Sequence, residues 1–203
     1  VYVRANCGTD GTSEWVMVSF TTLPAPIVPN YTNDFSEYPW ELWTIDTGIL
    51  NTSGTWGADG FANDGTSGAA RVNIYTNFSG DPKADDALIS PSFDLSGGTY
   101  YLNMIAALTP WNGTSDGAFG EGDYVSVSVT EDAGDTWVEL FRWDSTNNPA
   151  ATGAAIGVLM FYYGGTYLFK WTSHWKSKKP KLVFTKGRRR IVYIKNKFGL
   201  VGF

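Results

Sequence analysis

The 203-residue chain has one cysteine (Cys7), one histidine (His174) and three methionines. Only 17% of its residues are charged, against about 25% in ordinary soluble domains. A single cysteine excludes an intrachain disulfide. A single histidine excludes His-rich zinc centres and leaves little room for a Ser-His-Asp triad; no acidic residue neighbours His174 in sequence. No apolar run approaches the roughly 18 residues of a bilayer span, so no membrane insertion is expected. The glycine-rich stretch from Gly57 to Gly68 lacks the Lys-Ser/Thr ending of a phosphate-binding loop. No segment shows a convincing helical period of apolar residues. Nor does any acidic residue occur after position 169.

What is present is 23 Gly, 12 Phe, 11 Tyr and 9 Trp in a Thr/Ser/Asn-rich background, the texture of an all-β extracellular chain. Charge is divided. Residues 1–169 hold all 20 acidic residues and four basic ones (Arg4, Arg71, Lys83, Arg142), a net of −16, whereas 170–203 hold eleven basic residues, a net of +11. Val1 to Ala5 alternates like a strand, a turn-rich run follows, and Trp15 to Phe20 reads as the return strand of a hairpin. Pro24, Pro26 and Pro29 make a stiff linker. From about 31 to 150 the pattern is continuously β. Thr99 to Leu108 is apolar on both parities in its middle, as in a buried strand, and Tyr124 to Val129 alternates strictly, as in a half-buried one. Asp132-Ala133-Gly134-Asp135 marks a hairpin turn. Opening on Val1 within a strand pattern, the chain reads as part of a larger multidomain protein.

Two resemblances follow from particular residues. Tyr2-Val3-Arg4-Ala5-Asn6-Cys7 with Ser13-Glu14-Trp15 and Val18-Ser19-Phe20-Thr21-Thr22 is similar to the last two strands of a fibronectin type III domain. Residues 31–148 resemble a jelly-roll module of Bacteroidetes secreted and surface proteins, in the group around the cleaved-adhesin and MAM-like domains. The stretches that carry this are Asn33-Asp34-Phe35 leading to Trp43, Trp56-Gly57-Ala58-Asp59-Gly60-Phe61, Ala70-Arg71-Val72-Asn73-Ile74-Tyr75, Leu88-Ile89-Ser90-Pro91-Ser92-Phe93-Asp94-Leu95, and Tyr124 to Val129 with the turn to Trp137. Two departures stand out. Ala87 occupies a position often held by Trp, and a basic segment replaces the family's closing strands and their Asp-Asn pair. The expected fold is therefore all-β, an antiparallel two-sheet jelly-roll sandwich preceded by an isolated β-hairpin. Its divisions are a remnant at 1–22, a Pro-rich linker at 23–30, the module at 31–155 and a basic tail at 156–203.

The resemblance implies a non-catalytic, adhesive or carbohydrate-associated module, often with a structural calcium. Calcium takes six to eight oxygen ligands. Asp34, Asp86 and Asp123 are the candidate ligands, Asp34 by family position, within a wider set that includes Asp85, Asp116 and Glu121. The competing reading of these carboxylates is that they are solvated turn acids. Trp56 and Trp111, in Gly/Asn/Thr-rich stretches, are the candidate ligand-binding aromatics, since an indole in a loop stacks on a sugar face. The alternative for Trp56 is to plug the end of the sandwich. Trp137 and Trp143 read as sheet packing. Asn-x-Ser/Thr sequons occur at Asn30, Asn51, Asn77 and Asn112.

Three readings fit the tail. It is an out-of-frame translation, a basic arm gripping an anionic surface, or a set of divergent closing strands built on Ile191-Val192-Tyr193-Ile194. The first is favoured, and 156–203 is expected to be poorly packed or disordered. The acidic remainder argues against a nucleic-acid partner. The expected function is binding of a glycan or a surface protein, secreted or at the cell surface and without enzymatic activity. The alternatives are a structural spacer or the non-catalytic flank of a secreted protease or glycoside hydrolase.

Overall fold

The structure, a computed structural model, describes residues 1–19, 24–47, 56–74, 85–160, 166–174 and 190–202. The sequons at Asn51 and Asn77, Lys83, Trp175, Phe184 and the basic runs 176–181 and 186–189 lie outside the described residues. The strands are β1 (Tyr2–Val3), β2 (Val16–Met17), β3 (Tyr31–Asn33), β4 (Thr44–Asp46), β5 (Gly57–Gly60), β6 (Gly68–Asn73), β7 (Asp85–Ile89), β8 (Phe93–Asp94), β9 (Tyr100–Pro110), β10 (Tyr124–Thr130), β11 (Val138–Asp144), β12 (Ala154–Met160), β13 (Thr166–His174) and β14 (Arg190–Gly202). There is no α-helix among the described residues, and so no helix long and apolar enough to cross a membrane.

β1 and β2 form a separate two-stranded sheet, Tyr2 opposite Met17. The remaining strands form two antiparallel sheets. The first runs β11-β10-β13-β7-β4, with β8 on β13; the second runs β12-β9-β14-β6-β5, with β3 on β14. Strand alternation turns one parity of each strand inward. Val125, Val127, Trp143, Leu88 and Phe169 from the first sheet meet Ala70, Val72, Leu102, Met104, Ala106 and Leu108 from the second in one core. Phe35, Trp40, Trp56 and Phe93 complete it. The Pro-rich segment is fastened to this body at Ile27. The Ile27 N–H donates to the Ser92 carbonyl (2.8 Å), and the Ile27 carbonyl accepts from Asp94 N–H (2.9 Å).

The expectation of an unpaired tail is corrected for its described strands. β13 lies between β10 and β7, and β14 between β9 and β6, so both are interior strands. The physical reason is edge satisfaction. Without β13 and β14 the facing strands of each sheet would present unpaired N–H and C=O rows. The β-branched and aromatic run Ile191-Val192-Tyr193-Ile194 suits a strand filling that gap.

The doubly apolar middle of β9 has a local cause. Its inner parity is core, and on its outer parity Ala107 packs with Ala69 beneath Ala62 of the 3-10 turn Phe61–Asn63. In β10 the outward Ser126 and Ser128 are buried as well, departing from a half-exposed strand. Lys170, opposite Ser128 on β13, sends its Nζ to 4.2 Å from the Trp137 ring centroid, crossing above β10. Arg142, opposite Ser126, stacks 3.7 Å from the Tyr124 ring. Trp137 therefore packs on the outside of the sheet and Trp143 on the inside.

The β10–β11 hairpin is closed by Asp132. Its carboxylate accepts from Thr130 Oγ1 (2.5 Å), Thr136 Oγ1 (2.5 Å) and Thr136 N–H (2.9 Å). These bonds, the Thr130 hydroxyl foremost, hold the carboxyl far below its ordinary value of 3.8. A depressed carboxyl contributes stability above the unfolded-state value and loses it as pH falls toward the folded-state one. Asp132 should accordingly titrate by NMR well below 3.8, and Asp132→Asn should remove that component of acid sensitivity. Titration at or above the ordinary value would contradict the clamp.

Candidate functional site

Three loops, 61–67, 110–123 and 144–153, meet over the outer face of the second sheet. The first begins at Gly60, where an added Cβ would overlap the Asp64 carbonyl and the Gly65 backbone, so only glycine permits so tight a reversal. Ala62 (φ 56°) and Asn63 (φ 66°) then adopt left-handed conformations, uncommon for residues with a Cβ. Asn63 secures them. Its Nδ2 donates to Thr109 Oγ1 (3.1 Å), to the Pro110 carbonyl (3.4 Å) and to the Gly113 carbonyl.

The second loop is turned at Asn112 (φ 54°), with Gly113 N–H donating to the Pro110 carbonyl (3.2 Å). The third is tied to it by two side chains. Asp116 Oδ1 accepts from Ala151 N–H (2.7 Å), and Asn148 Oδ1 accepts from Phe119 N–H (2.6 Å). Gly153 (φ 101°) closes the third loop against Ile105 and Phe61; a Cβ there would come within 2.8 Å of Ile105 Cγ2.

Between these loops lies a cleft of about 450 Å³. The Phe61 ring flanks it, and Asp64, Ser67, Thr114 and Thr152 supply a carboxylate and three hydroxyls, all on exposed side chains. Among the described residues these four side chains have no hydrogen-bond or ion-pair partner. Trp111, 37% exposed, stands three residues before Thr114 on the same loop. The cleft thus combines groups that donate and accept hydrogen bonds with an aromatic residue, Phe61.

The residues singled out from sequence fall in different places. Trp111 belongs to this loop cluster. Trp56 does not: it is 1% exposed within the core, and its Nε1 donates to the Asp86 carbonyl (3.3 Å). Its indole plugs the sandwich and has no face open to a ligand. Asp86 is 1% exposed on β7. Asp123 is 5% exposed, and its Oδ2 accepts from Gly120 N–H (3.0 Å), closing the turn before β10. Asp34 is exposed after β3. Hydrogen bonds from Ser36, its side chain first and then its N–H, lower the Asp34 pKa. Asp34 shares a recess of about 550 Å³ with Glu37 and Glu41.

Asp34, Asp86 and Asp123 are not brought into one group. Among the described residues no three His, Cys, Asp or Glu side chains are placed to hold a metal ion. Asn63, Asp64, Ser67, Thr114 and Thr152 went unread in the sequence. The turn-forming runs Asn63-Asp64-Gly65 and Asn112-Gly113, flanking Trp111 in space, are the signal that points to them.

The class these features define is an antiparallel two-sheet β-sandwich with a loop-built cleft over one face. Its fold is similar to that of the K1 cleaved-adhesin domain of Lys-gingipain from Porphyromonas gingivalis W83, with a TM-score of 0.56 and 15% identity over 85% of this chain and 98% of that one. It is also similar to the K3 cleaved-adhesin domain of the same protein, with a TM-score of 0.53 and 13% identity over 82% and 95%. No family model and no curated protein matches the sequence.

Proposed function

We propose that this chain is a non-catalytic binding module of a larger secreted or cell-surface protein, and that it recognises a glycan. The observation that carries this is the three-loop cleft, braced by Asn63, Asp116 and Asn148 and lined by exposed polar side chains that, among the described residues, bond to no other group. Loops held by a rigid sandwich are where binding groups are commonly placed. The volume of about 450 Å³ falls within the range of about 300–1,000 Å³ of small-ligand sites. A stable protein interface would instead need about 800 Å² on each partner. The likeness in fold to domains described as cleaved adhesins agrees with a role in attachment.

A glycan microarray probed with the intact chain tests the reading, alongside an assay for released reducing ends. Retention on a defined set of glycans with no release is expected. Glycan hydrolysis, or capture of a surface protein with no glycan retained, would overturn it.

A further inference from the structure

The chemistry of the cleft goes further than glycans in general. Resting on the reading above, we infer that the three-loop cleft takes a neutral saccharide, with Asp64 accepting from a pair of adjacent sugar hydroxyls. Four observations bear on this. First, among the described side chains one carboxylate, Asp64, lines the cleft and no Lys or Arg does. A uronate, sialate or sulfated sugar would bring a second negative charge beside Asp64, whereas a neutral diol donates two hydrogen bonds to the carboxylate, and such charge-assisted bonds are the stronger kind. Among the described side chains, Arg71 on β6 is committed to Asp59 at 3.1 Å.

Second, Ser67, Thr114 and Thr152 each both donate and accept, matching the alternating needs of sugar hydroxyls, and they come from three different loops. Third, the Phe61 ring gives a flat apolar flank for the C–H face of a pyranose. Fourth, the loops are fixed before any ligand arrives, by Asn63 bonding to Thr109, Pro110 and Gly113 and by the left-handed residues Ala62, Asn63 and Asn112. Prior fixing of this kind lowers the ordering cost of binding.

The test is titration calorimetry on the intact chain with cellotetraose, xylotetraose and mannotetraose as neutral probes and trigalacturonate as the anionic one. At least one neutral probe should bind, and trigalacturonate more weakly than it. Asp64→Asn and Thr152→Val, on separate loops, should each weaken binding by about tenfold, the consequence of removing one hydrogen bond with a sugar hydroxyl. Thermal unfolding of both variants should match the parent, since both side chains are exposed. Neutral binding untouched by both substitutions would place the glycan elsewhere, overturning this site while leaving the glycan-binding function standing. Tighter binding of trigalacturonate would overturn the neutral class. No binding by any probe, together with an empty glycan array, would overturn this inference and the proposed function together.

Discussion

Phe169→Ala should lower the unfolding free energy by about 3–5 kcal/mol, the range for emptying the space of a buried aromatic. Phe169 lies on β13 with 0% exposure, its ring centroid 6.0 Å from that of Phe93. Its backbone is held as firmly as its ring. The Phe169 N–H donates to Ser90 Oγ (3.0 Å), and its carbonyl accepts from the Ser90 N–H (2.9 Å). A loss of this size is a large part of the roughly 5–15 kcal/mol that keeps a domain folded. Urea unfolding followed by tryptophan fluorescence measures it, with Leu88→Ala on the neighbouring strand as reference, expected to cost about 2–5 kcal/mol. The experiment bears on the reversal of charge along the chain. If the basic segment only trails from an acidic sandwich, removing the Phe169 ring should cost no more than a surface change, about 0.5 kcal/mol. A cost near that of Leu88→Ala places β13 in the core.

That segment is also where the sequence is hardest to read. Its charge contrasts with everything before it, and charge says nothing about which backbone rows are left unpaired elsewhere. The need for a strand between β10 and β7, and for another between β9 and β6, arises only when both sheets are assembled. Local patterns fare better. The alternation from Tyr124 to Val129 and the Asp132-Ala133-Gly134-Asp135 turn locate β10, its hairpin and β11, because each depends on near neighbours. The two-faced apolarity of β9 is legible too, though its cause, Ala62 lying on Ala69 and Ala107, is not.

The site is less legible than the fold for a related reason. The bonds that build it join residues far apart in the chain: Asn63 to Gly113, Phe119 to Asn148 and Asp116 to Ala151. The left-handed conformations at Ala62 and Asn63 fall on residues other than glycine, between Gly60 and Gly65. Among the described residues the candidate calcium ligands form no group of three, and carboxylates in turns read alike in sequence, whether they bind a cation or, like Asp123 with Gly120, close their own turn.

Trp56 and Trp111 look alike in sequence, each near glycine and small polar residues, and the structure places the first in the core and the second at the surface. Trp56→Ala should cost about 3–5 kcal/mol of stability, since the indole is almost fully enclosed and its Nε1 hydrogen bond to the Asp86 carbonyl is lost with it. Trp56→Phe keeps most of the volume and gives up the hydrogen bond, about 1 kcal/mol, so it should recover much of that loss. Trp111→Ala should change stability by no more than about 0.5 kcal/mol, as expected at the surface. Under the proposed function, its effect falls on binding. An aromatic contact worth about 0.5–1.5 kcal/mol weakens glycan affinity by roughly twofold to tenfold when removed. Thermal unfolding and calorimetric titration of the three variants separate the two roles. Trp56→Phe should bind as the parent does, because the indole reaches no ligand and the loops above the second sheet are braced by other residues. Full glycan affinity in Trp111→Ala would confine recognition to the groups inside the cleft. A loss of affinity in folded Trp56→Phe would mean that the packing of the core, and not the loop bracing alone, sets the shape of the binding face.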